Sequence, residues 1–162
     1  RHGEASDHST GLLQVGQELS LKAPFARIDP GEVRFRRPFA KKGKILESFG
    51  PRRQGKILVP RTGVKMACPV GSPVTCPAHA VVRYVGWMDE YGTLVILEHG
   101  GGYHTVIAPL DPARLDVAPG EAVLAGERIG VTAAPLDPDQ APHLHLELRK
   151  DEKAVDPTRL LR

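Results

Sequence analysis

Aromatic side chains are scarce in this 162-residue chain: they make up 5% of it, with a single tryptophan. Without helix-turn-helix or zinc-finger spacing, nucleic acid is not an expected partner. No apolar run approaches the roughly 20 residues that a membrane helix requires, so the chain is not itself expected to span a membrane. Only Cys68 and Cys76 are available for sulfur chemistry. They enclose the turn-rich "PVGSPVT", which is compatible with a short disulfide in an oxidising compartment or with two buried free thiols. Internal repeats and low-complexity tracts are also missing. The chain starts at Arg1 with no apolar leader, which reads as a fragment or a processed product.

What the chain does have is glycine (17), proline (15) and a 41% hydrophobic content, enough for one real core. The apolar residues fall in short runs, "GKILESF", "VKMAC", "AVVRYVG", "TLVILEH", "YHTVIAP", "ERIGVT" and "HLHLELR", separated by turn signals such as "GPRRQG", "MDEYG" and "GGG". Strands this short, with no helix between them, predict a mainly β domain with antiparallel pairing. "DPTRLL" adds one helical turn near the end. The domain is taken as residues 34–162. Residues 1–33 read as an N-terminal arm or linker, in which Leu12, Val15 and Leu19 fit a helix and Leu19 with Leu21 fit a strand.

Charge is distributed unevenly. The net charge is +3, yet between Arg34 and Lys65 there are eleven Lys or Arg against one acid, Glu47. Most of these cations are expected on a solvated face. Such a face also suits anionic glycans or an acidic protein.

One short pattern carries chemistry. In "APHLHLELR", His143 and His145 are one residue apart on a β-prone run, so strand alternation points both to one face. Two imidazoles are one short of the three protein ligands of a catalytic zinc.

Taken in order, "FG" (49–50), "GVKMACPVGSPV" (63–74), "YGTLVILEHGGGYHT" (91–105), "PGEAVLAGERIG" (119–130), "HLHLELR" and "DP" (156–157) resemble the lysostaphin-like or LytM-type zinc endopeptidases of bacterial cell walls. The resemblance covers about residues 35–160 and implies a compact antiparallel β domain with a groove over one sheet, located in the bacterial envelope or periplasm. In active members, zinc is held by the His and Asp of H-x-G-x-D and by the second His of H-x-H. The first His of H-x-H and a further His in a Y-A-H-L-like strand act on the water. Carried over, His145 matches a ligand and His143 a catalytic base. Arg61 and Lys65 stand where the other two ligands would be, and Pro109 stands where the further His would be. Arginine and lysine are cations with no lone pair to give, so the carried-over site repels zinc.

The resemblance therefore implies a catalytically inactive, EnvC-like regulator, needing no cofactor, whose groove receives a peptidoglycan amidase at cell division. Arg61, Lys65, Tyr103, His143 and His145 are the expected groove residues, with Tyr103 to Ile107 as one wall. An active zinc endopeptidase, in which His79, His99 or His104 would have to supply the missing donors, is the alternative enzyme. A passive peptidoglycan binder is the alternative module, with peptidoglycan itself as the partner. A lipoyl- or biotin-carrier reading of "VKMA" would need Lys65 on an exposed hairpin turn and leaves "HLHLELR" unexplained.

Overall fold

The computed structural model describes residues 33–162, so the helix-or-strand question for Leu12 to Leu21, and nearly all of the expected arm, lies outside the described residues. In chain order the strands are β1 (Ile45–Glu47), β2 (Gly50–Gln54), β3 (Ile57–Arg61), β4 (Val64–Ala67), β5 (Pro73–Thr75), β6 (Ala80–Met88), β7 (Gly92–Gly100), β8 (Tyr103–Ala108), β9 (Ala122–Val123), β10 (Arg128–Val131), β11 (His143–Lys150) and β12 (Lys153–Val155). Two 3-10 turns, Pro112–Arg114 and Pro157–Leu160, are the helical elements among the described residues. The second is the turn expected from "DPTRLL", with Asp156 capping it by accepting from the Thr158 backbone N–H.

The main sheet has the order β1-β4-β11-β8-β7-β6-β9, with β12 added beside β11. Every strand pair is antiparallel. Two small two-stranded sheets, β5 with β10 and β2 with β3, complete the fold. The β2–β3 hairpin was not expected from sequence, because "GPRRQG" reads as punctuation. The chain instead turns at Gly55 (φ +61), a left-handed conformation that glycine adopts without strain.

Alternation assigns each strand's residues to a face. Leu144, Leu146 and Leu148 of β11, Val64 and Met66 of β4 and Ile107 of β8 join Val74, Cys76, Ile129 and Leu160 in the principal core. Fully burying side chains of this size contributes about 1.5–3 kcal/mol each. The opposite face carries a smaller cluster of Leu94, Ile96, Val106 and Ala108. Strand β7 is buried along its whole length, consistent with apolar contact on both faces. Cys68 and Cys76 are buried free thiols. Burial pushes the Cys76 thiol up to about 12, and its Sγ–H donates to the Ala78 carbonyl.

Candidate functional site

The site is a row of cross-strand neighbours on the face turned away from the principal core. Glu47 of β1 lies opposite Lys65 of β4, Lys65 opposite His145 of β11, and His145 opposite Ala108 of β8. Pro109 follows at the end of β8. Because side chains alternate, placing Val64, Met66, Leu144 and Leu146 in the core turns Lys65, His143 and His145 outward together. A cavity of about 180 Å³ opens over this row, lined among others by Glu47, Arg61, Lys65, Pro109, His143 and His145. A second depression continues it past Lys65, Pro109 and His143 to Leu136 and Gln140.

Five of the residues singled out from sequence, Arg61, Lys65, Pro109, His143 and His145, thus share one cavity. Tyr103 does not. It sits at the far end of β8 and packs into the principal core beneath Lys150, whose Nζ lies 4.5 Å from the ring centroid. The expected wall from Tyr103 to Ile107 is corrected on the same ground. Odd positions of β8 face the core, and only Pro109, beyond the strand, reaches the cavity. Lys65 lies within a paired central strand, not on a hairpin turn, which removes the carrier reading.

Further residues build the site, and the sequence did not single them out for it. Glu147, two positions beyond His145 and on the same face, is 1% exposed. It accepts hydrogen bonds from the Tyr91 hydroxyl (2.6 Å), the Thr62 hydroxyl (3.0 Å) and Arg149 Nη1 (3.1 Å), and its Oε2 lies 2.8 Å from His145 Nε2. Burial alone would raise this carboxyl. The hydrogen bonds and charge of His145, with the bonds from Tyr91 and Thr62, outweigh burial and hold it down to about 2. An ionised Glu147 requires the proton on Nε2 of His145. Nδ1 of His145 is then left buried with no hydrogen-bond partner. Gly63 permits this packing: a Cβ there would collide with the Leu146 carbonyl oxygen and lie 2.7 Å from Glu147 Cγ.

Glu47 adds a second carboxylate. Its Oε1 is 2.6 Å from Arg61 Nη1 and its Oε2 is 3.8 Å from Lys65 Nζ. The signal for Glu47 was its isolation as the one acid in the basic stretch, and the signal for Glu147 was simple alternation. Thr62 and Tyr91 carried none.

The other histidines among the described residues lie away from the cavity. His99 is buried, 2.9 Å from Thr105 Oγ1 through Nε2 and 3.1 Å from the His79 carbonyl through Nδ1, and burial pushes it down to about 4. His104, on β8, is driven down to about 3 by burial and the nearby Arg83. Neither lines the cavity, and nor does His79, whose Nδ1 accepts from the Ala125 backbone. Among the described residues, no group of three His, Cys, Asp or Glu side chains is placed to hold a metal ion. The donors at the cavity do not fit zinc: Glu147 is already engaged by His145, Tyr91, Thr62 and Arg149, Glu47 is tied to Arg61, and Lys65 stands between Glu47 and His145 in the row.

Comparison with known proteins agrees with this architecture. Residues 59–157 match the model of Peptidase family M23. The chain is 32% identical over 116 residues to the peptidoglycan DD-endopeptidase ShyA of Vibrio cholerae, covering 70% of this chain and 26% of that protein. It is 28% identical over 157 residues to the murein hydrolase activator EnvC of Escherichia coli, covering 97% of this chain and 36% of that protein. Among solved structures, a zinc containing peptidase from Vibrio cholerae superposes with a TM-score of 0.68 at 28% identity, over 80% of this chain and 40% of the other. The catalytic domain of lysostaphin from Staphylococcus simulans gives 0.62 at 25% identity, over 74% of this chain and 92% of the other. The chain thus spans well under half the length of these curated relatives.

Proposed function

The chain belongs to peptidase family M23, and from that premise we propose that its cavity docks a protein instead of cutting peptidoglycan. In this reading the domain is a non-catalytic regulator in the bacterial envelope, on the periplasmic side. It activates a peptidoglycan (N-acetylmuramoyl-L-alanine) amidase during cell division and daughter-cell separation. The observation that carries the reading is the presence of Arg61 and Lys65 in the same cavity as His143 and His145. Two cations there disfavour a divalent metal by direct repulsion and favour carboxylates through charge-assisted hydrogen bonds. Likeness to a murein hydrolase activator along nearly the whole chain supports the same direction.

Mechanistically, the domain acts by selecting one state of its target. If the amidase exists in closed and open forms, and the cavity makes contacts only with the open one, binding draws the population toward it. Arg61 and Lys65 supply the charged contacts, with His143 and His145 as neighbours. Glu147 holds the His145 ring in one orientation, and Gly63 keeps the backbone close beneath it.

The test is a dye-release assay on purified sacculi with each amidase of the source bacterium, with and without this domain. The domain alone releases no dye. Lys65→Glu abolishes stimulation while its circular dichroism and melting curve stay those of the parent. Full stimulation by a folded Lys65→Glu variant would refute the assignment.

An active zinc endopeptidase is the second reading, favoured by one observation: Nδ1 of His145 is buried and has no hydrogen-bond partner in the protein. It calls for ligands other than those at Arg61 and Lys65.

A further inference from the structure

The two cations of the cavity already hold a carboxylate of the protein's own. Glu47 is placed there by pairing: it faces Lys65 across β1 and β4, beside a register shift between Ile45 and Glu47, and its side chain meets Arg61. Its grip is incomplete. The 2.6 Å contact uses Nη1 of Arg61, while Nε of the same guanidinium is buried with no partner. At 3.8 Å from Lys65 Nζ, the other oxygen is in ion-pair range but too far for a hydrogen bond. A carboxylate seated squarely on an arginine fork would take two parallel N–H donors. Glu47 therefore offsets one of the two positive charges and leaves donors of both cations unused. With side-chain exposures of 24% for Arg61 and 28% for Glu47, the contact is open to exchange with solvent and solutes.

We propose that Glu47 is an internal stand-in for an acidic side chain of the protein partner, and that docking proceeds by carboxylate exchange. The incoming carboxylate takes the Arg61 and Lys65 donors, and Glu47 turns out to water. This rests on the reading that the cavity docks a protein. Glu47 then sets specificity. A neutral or basic segment cannot displace it, since removal would leave two cations unpaired, whereas an acidic segment replaces what it removes. The occupied state also keeps the basic cavity from collecting anions indiscriminately.

The experiment is an NMR titration of the domain with glutarate, a free dicarboxylate that mimics a glutamate side chain, followed at the Arg61 Nε–H and the His143 and His145 rings. Glu47→Gln binds glutarate about tenfold more tightly than the parent, the loss of one competing charge-assisted contact. Glu47→Ala, which leaves no acceptor at all, shifts the affinity the same way. In the amidase assay, Glu47→Gln reaches half-maximal stimulation at a correspondingly lower concentration. Equal or weaker glutarate affinity in both variants would overturn the exchange, even if Lys65→Glu still abolished stimulation and so left the docking reading intact. Loss of the docking reading would show separately, as stimulation that survives Lys65→Glu. A gain in co-sedimentation with sacculi and none in stimulation would overturn the assignment of the carboxylate to a protein.

Discussion

Replacing Glu147 by glutamine keeps the shape of the side chain and removes its charge, which isolates the energetic role of the buried carboxylate beneath His145. The folded group titrates at about 2 against an ordinary value of 4.5. At about 1.4 kcal/mol per unit, the ionised form contributes about 3 kcal/mol to stability at pH 7. The sign follows from the depressed value. Above the unfolded value the contribution is fully present. As pH falls below 4.5 the unfolded chain takes up the proton first, and the contribution fades through the folded value. At pH 3 about 1 kcal/mol remains. Urea unfolding followed by circular dichroism, at pH 7 and at pH 3, reads both numbers. Glu147→Gln should lose about 3 kcal/mol at pH 7 and much less at pH 3. A variant within about 0.5 kcal/mol of the parent at pH 7, or a deficit that does not shrink on acidification, would refute the reasoning that the charge, held by His145, Tyr91 and Thr62, stabilises the fold.

Gly63→Ala should destabilise the domain by at least about 2 kcal/mol, since the added methyl meets the Leu146 carbonyl and Glu147 Cγ and neither lies at the end of a flexible chain. A thermal melt checks it, and an unchanged midpoint would mean that the strand spacing beneath His145 gives way freely. After incubation with excess zinc and desalting, the domain should retain far less than one equivalent, with no difference for His145→Ala. About one zinc per chain, lost in that variant, would move the weight to the endopeptidase reading.

The antiparallel β architecture was legible because its strands are short, apolar and bounded by glycine and proline, and no helical pattern competes with it between residues 34 and 155. The β2–β3 hairpin was not. Its strands are mostly exposed and Arg52 and Arg53 carry no apolar periodicity, so backbone pairing alone defines it. His143 and His145 could be put on one face from alternation, and the same count reaches Glu147, whose buried role depends on Tyr91 and Thr62 arriving from distant segments. Tyr103 shows the converse limit. Family order placed it near the groove, but parity along β8 turns it to the other side. Glu47 required a register between β1 and β4 that no local pattern encodes.

The row from Glu47 through Lys65 and His145 to Ala108 is held in place by main-chain hydrogen bonds between four strands, and its outward side chains are not what keeps those strands together. Each position behaves as a socket with its own address. Its occupant can be exchanged, donor for cation or cation for donor, while the neighbouring addresses keep their spacing. An insertion of one residue within β4 would instead slip Lys65 out of register with Glu47 and His145 and turn core side chains of that strand outward. On this scaffold, new chemistry is written by substitution at fixed sites, and changes of length are confined to the turns.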